Sequence, residues 1–223
     1  MKIGLMLTAA ALAAAVTTTA CSSTDSKPKA KVQAKTPAPA PAAAKTATPE
    51  PPMDPQAMME AWTKAGALGE PHQAFAKQAG TWDLTVRMFM DPNIPPMESK
   101  STATRELMLG GRFMVEHVKG DMGPMGPFEG HGILGYNNLT RQYDHIWMDS
   151  MSTGMMVSHG QAGADGAITM TGEYDDAMTG GKTKARTVSK MVSDNEQKFE
   201  MYESRGGAPE TKVMEIIYKR TGS

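Results

Sequence analysis

"AGTWDLTV", residues 79–86, is where the hydrophobic period of this chain changes. Upstream of it, Asp54 is a good N-cap and Pro55 suits a first helical position. Asp54 to about Ala67 therefore reads as a helix carrying Met58, Met59 and Trp62. Glu70 to Ala79 reads as a second short helix with Pro71 in its first turn, and His72 and Phe75 are spaced to share a face, His72 as a packing residue. From Thr81 onward the period is two. Trp82, Leu84, Val86, Met88 and Met90 alternate with Thr81, Asp83, Thr85 and Arg87, the pattern of a strand with one apolar face.

The same alternation, punctuated by Gly, Pro, Asn and Asp, recurs at about 98–109, 111–119, 127–136, 142–150, 153–160, 167–173, 183–192, 197–204 and 211–220. With no helical period between them, these runs predict an all-β fold, an up-and-down antiparallel barrel of about ten strands preceded by one or two short helices. Gly80-Thr81-Trp82 resembles the G-x-W that begins the first strand of lipocalin-like (calycin) barrels. That resemblance implies that the indole plugs one barrel end beneath an arginine of the last strand. In "VMEIIYKRTGS", residues 213–223, Met214, Ile216, Tyr218 and Arg220 share one strand face, which makes Arg220 the arginine that closes the barrel over Trp82. A guanidinium stacked on an indole contributes about 0.5–2 kcal/mol, whereas an unpaired charge on that face would be costly.

Residues 107–154 carry a longer pattern. Leu109 to Phe113, Pro127 to Gly130, Gly135-Tyr136, Tyr143, Trp147, Asp149 and Ser150 follow in order the motifs of an uncharacterised bacterial family, domain of unknown function 1579. The resemblance spans roughly residues 71–220 and implies a lipocalin-like barrel without an established activity.

The N-terminal part has another composition. Lys2 precedes an apolar run, Ile3 to Val16, too short to cross a bilayer as a stop-transfer helix, so residues 1–20 read as a signal peptide. Thr18-Thr19-Ala20-Cys21 resembles a bacterial lipobox, with Thr18 where that motif prefers leucine. The resemblance implies acylation of Cys21, the only cysteine, and hence a lipid bilayer as partner. Ser22 and Ser23 after the cysteine point, by the Gram-negative sorting pattern, to the periplasmic face of the outer membrane. Residues 21–53 read as a lipidated, disordered tether rich in Ala, Pro and Lys, residues 54–80 as the helices and 81–221 as the barrel. Among 223 residues the net charge is −1, which offers no broad basic field and excludes nucleic acid as a partner.

Motifs of catalysis are lacking: there is no H-E-x-x-H, G-x-S-x-G or P-loop, and no second cysteine. Gly130-His131-Gly132-Ile133-Leu134-Gly135 spells G-x-G-x-x-G, but inside a predicted strand, where it marks a bend or a close backbone approach. His117, His131, His145 and His159 recur every 14 residues. A meander brings them together at most as two pairs, His117 with His131 and His145 with His159. The first pair flanks a loop with Met122 and Met125, a thioether and imidazole set suited to copper, the one candidate cofactor, in a chain with 21 methionines. Tyr143, His145, Trp147 and Asp149 alternate onto one strand face, with Tyr136 close by in sequence. Facing inward they would line a pocket wall for a small ligand, with His145 and Asp149 as an acid–base pair; facing outward they would pack under the helices. The expected function is an envelope-anchored lipoprotein whose barrel binds a small, largely apolar ligand without catalysis. The alternatives are a copper-handling or oxidation-buffering lipoprotein, and a hydrolase or isomerase using His145 and Asp149.

Overall fold

In the computed structural model, residues 54–123 and 126–222 are described. The expected signal peptide, Cys21, the tether and Met125 lie outside them. Two helices, α1 (Pro55–Ala65) and α2 (Glu70–Gln78), precede ten strands: β1 (Gly80–Met88), β2 (Met97–Met108), β3 (Phe113–Asp121), β4 (Pro127–Asn137), β5 (Gln142–Asp149), β6 (Met156–Ala162), β7 (Ile168–Asp175), β8 (Lys182–Ser193), β9 (Glu196–Arg205) and β10 (Thr211–Gly222). Each strand pairs antiparallel with its neighbour in sequence, and β10 returns to pair with β1, so the sheet closes into a barrel with no free edge. This is the expected all-β architecture, with strand ends within a few residues of the expected ones.

Alternation sets inside against outside. Trp82, Leu84, Ala103, Val118 and Tyr218 are buried inside, while outward positions carry an ionic lattice. Arg87 bridges Glu98 at 3.1 Å and Glu215 at 3.3 Å, and Lys212 joins Glu200 at 2.6 Å to Glu215 at 2.7 Å. The outer wall is mixed, because Val115, Ile133, Ile146 and Val157 lie side by side across β3 to β6.

One end of the barrel is filled. The Asp54 carboxylate accepts the Gln56 N–H at 3.1 Å and starts α1, whose end is tied down by the Arg112 guanidinium on the Gly66 carbonyl at 3.0 Å and by the Asn138 amide on Ala65 and Ala67. Pro71 then opens α2, where the Gly69 N–H donates to His72 Nδ1 at 3.0 Å. From α2 the fully buried Phe75 reaches Met114, Tyr143 and Met170, inward-facing residues of β3, β5 and β7. It plugs the lumen.

Candidate functional site

Above the plug the barrel is hollow. A cavity of about 1520 Å³ runs from Leu84, Arg105 and Tyr218 up to the opposite end. Twelve of the described methionines line it. Four of them, Met90 (70 % exposed), Met151 (49 %), Met155 (62 %) and Met178 (81 %), stand around its mouth. Thioether side chains are unbranched and polarizable, so they form a compliant apolar rim.

At the closed end Trp82 and Arg220 are direct partners across the β1–β10 junction. The Arg220 guanidinium lies 4.2 Å from the indole centroid and donates to the Ala79 carbonyl at 2.6 Å and the Lys77 carbonyl at 2.5 Å. Trp82 itself is fully buried and donates its N–H to the Gln78 carbonyl at 3.0 Å. The last turn of α2, the first strand and the last strand are thereby held in one hydrogen-bonded knot.

The cavity floor holds an ion pair for which the sequence reading had no role. Arg105 on β2 and Glu116 on β3 are register partners, both face inward, and the guanidinium donates to the carboxylate at 2.7 Å. Arg105 also lies 5.1 Å from the Trp82 ring and 4.5 Å from the Tyr218 ring. Burial is the largest influence on the Arg105 pKa and would lower it, but Glu116 and Tyr218 together more than offset this and keep it raised. Burial, reinforced by Glu116, pushes the Tyr218 hydroxyl well above the usual tyrosine range. Three buried polar atoms of cavity-lining residues, Arg105 Nη1, Thr187 Oγ1 and Gln197 Oε1, have no hydrogen-bond partner among the described residues. Buried polar atoms are ordinarily paired. A signal for Arg105 does exist in sequence: it shares strand parity with the small residues Ser99, Ser101 and Ala103, while Glu98, Lys100, Thr102, Thr104 and Glu106 take the other face.

The residues of the expected pocket wall divide. His145, Trp147 and Asp149 line the cavity, so β5 turns this face inward. Tyr136 and Tyr143 do not line it: their rings meet at 5.0 Å and pack with His72 and Phe75 of α2, because the plug consumes this end of the lumen. Trp147 lies flat against β4, where a Cβ on Gly130 would fall 2.4 Å from its ring and one on Gly132 3.3 Å. The G-x-G of the sequence is thus the seat of an indole, and no phosphate-binding turn.

The acid–base pair does not form. The Asp149 carboxylate accepts the Trp147 indole N–H at 2.8 Å and the Met151 N–H at 2.9 Å. Four residues along a strand separate it from His145 by roughly 13 Å, too far for a hydrogen bond. His145 instead stacks on Trp147 at 6.4 Å, and burial lowers its pKa against a small opposing pull from Glu116. A hydrolase or isomerase built on His145 and Asp149 loses its geometric basis.

The expected copper set also separates. His117 and His131 are register partners on the outer wall, stacked 4.2 Å apart, whereas Met122 lines the cavity and so lies on the other side of the sheet. His159 faces outward and binds Asp144 at 2.7 Å, while His145 faces inward, so strand parity keeps that second pair apart.

The sequence model of a family described as "Protein of unknown function (DUF1579)" matches residues 67–220. No curated protein matches the chain. Among solved structures, the chain is similar to the crystal structure of Rv2717c from M. tuberculosis, with 15 % identity and a TM-score of 0.47 over 70 % of this chain and 99 % of that one. It is also similar to a redesigned beta barrel, b11L5F_LGL, with 13 % identity and a TM-score of 0.37 over 66 % of this chain and 95 % of that one.

Proposed function

Since the chain belongs to the DUF1579 family of proteins of unknown function, and its fold is a closed barrel around an open-mouthed cavity, we propose that it is a binding module for a small, largely apolar molecule that enters polar end first. One observation carries this reading: an apolar-walled lumen ends on a floor where Arg105 Nη1, Thr187 Oγ1 and Gln197 Oε1 are buried without partners among the described residues. An apolar body gains from burial at roughly 25 cal/mol per Å², and a head group that supplies hydrogen bonds relieves the desolvation of those three atoms. Glu116 already neutralises Arg105. The floor therefore favours a neutral head offering both acceptor and donor, such as a hydroxyl or an amide, over a carboxylate, which Glu116 would repel.

Native mass spectrometry after mild purification tests this, with neutral lipids and apolar amides added to ligand-free protein. A retained or acquired mass should accompany a change in Trp147 fluorescence, because the indole lines the lumen. A lumen that stays empty and leaves Trp147 unchanged across neutral and anionic probes alike would end the proposal.

The address belongs to the same proposal. The lipobox resemblance around Cys21 supports a protein tethered to the cell envelope at the periplasmic face of the outer membrane. Cys21→Ser should release the protein into the soluble periplasmic fraction, and a mature N-terminus without acyl mass would refute the tether while leaving the binding assay valid.

A further inference from the structure

On the outer wall, away from the cavity, three donor atoms converge. His117 Nε2 is 2.6 Å from Glu129 Oε1, and His131 Nε2 is 3.7 Å from the same oxygen. The ligand atoms of all three residues lie within 4.8 Å of one another. We propose that His117, Glu129 and His131 form a site for a divalent first-row cation of borderline softness, the Zn²⁺ class, independent of the lumen.

Zn–N and Zn–O bonds near 2.0–2.1 Å at tetrahedral angles space their donors by about 3.3 Å, and the spacings of 2.6 and 3.7 Å straddle that value. A zinc ion lies in the plane of each imidazole that binds it, so the two rings, stacked 4.2 Å apart and 12° from parallel, have to turn toward each other about their Cβ–Cγ bonds to share it. The backbone already places the donors: His117 and His131 are register partners on β3 and β4, and Glu129 is two residues along β4 from His131, so all three share the outer face. Two imidazoles with one carboxylate match a three-ligand zinc site that leaves a fourth position for water. One feature opposes the ion: Lys119 Nζ lies 3.9 Å from Glu129 Oε1. Its side chain is 64 % exposed and is free to turn to water once a cation takes its place. The thioethers are not part of the set, since Met122 lies across the sheet. A hard cation such as Mg²⁺ would find too few oxygens.

The test is a competition titration of the full chain with Zn²⁺ against a chromophoric chelator. A single equivalent should bind, and Glu129→Gln and His131→Ala should each weaken it by at least the roughly 10–100-fold that loss of a mere supporting contact costs at metal sites. His159→Ala, which removes the two-donor His159–Asp144 pair elsewhere on the outer wall, should leave it unchanged. Imidazole ¹⁵N shifts of the unmutated protein give a second readout that needs no variant to fold: Zn²⁺ should move His117 and His131 and spare His145 and His159. Equal affinity in all variants, no saturable binding, or ¹⁵N shifts spread over every histidine would overturn the proposal.

Discussion

Trp82 sits where the first strand, the last strand and the end of α2 meet, with Arg220 at 4.2 Å and Arg105 at 5.1 Å from its ring. Replacing Arg220 by Lys keeps the charge and loses the planar fork that serves the Ala79 and Lys77 carbonyls together. Urea unfolding should then show a loss of about 2 kcal/mol. The floor pair is stiffer still. Glu116→Ala strands the Arg105 charge, whose side chain is 4 % exposed, and should cost about 3–5 kcal/mol, whereas Arg105→Met with Glu116→Leu should recover most of it. His145 gives a pH prediction. Burial holds its folded pKa below the ordinary 6.5, so its contribution is complete above pH 6.5. As the pH falls below 6.5 the unfolded chain takes up a proton that the folded chain refuses, and stability drops by up to about 1.4 kcal/mol per pH unit until the folded pKa is reached. Melting temperatures measured between pH 7.5 and pH 5 should fall less steeply in His145→Gln than in the parent chain. Trp82 and Arg220 were legible in sequence because each lies at the end of an alternating run. Glu116 was not, since Phe113-Met114-Val115 ahead of it is apolar at every position and hides the parity.

At the scale of elements, strand ladders constrain which side chains fit where barrels bend. Gly160 on β6 is the tightest case, since a Cβ there would fall 1.9 Å from the Thr169 backbone carbonyl of β7. Backbone cannot swing aside as a side chain does. Gly160→Ala should therefore cost about 1–3 kcal/mol or more and expose amides of β6 and β7 to hydrogen exchange. In Gly130→Ala the neighbour is the Trp147 ring, which can tilt into the lumen. That variant should stay folded and shift indole fluorescence, at the expense of ligand space. The strands themselves were readable because period-two alternation is local. The inward turn of β5 was not, since its two faces, Tyr143-His145-Trp147-Asp149 and Asp144-Ile146-Met148, are both mixed in polarity. Only pairing with the glycines of β4 decides it.

For the whole molecule, the closed ring followed from ten short strands in sequence order, but the hollow lumen did not. Hollowness depends on small inward residues of nearby strands, Ser99, Ser101 and Ala103 on β2 and Gly130 and Gly132 on β4, whose joint effect no local pattern reports. Likewise the rim assembles its methionines from three loops, Met90 after β1, Met151 and Met155 after β5, and Met178 after β7. A guest saturating the lumen at a hundredfold excess over its Kd should raise the unfolding free energy by about 2.7 kcal/mol, visible as an upward shift in melting temperature. Because Phe75 and the Trp82–Arg220 knot stop one end, the vessel has a single door among the described residues. For a guest bound as proposed, traffic through it would be strictly sequential: a newcomer could not push from behind, and the resident would have to back out the way it came. Replacement of a bound guest should then proceed at one fixed speed, however much rival is poured in.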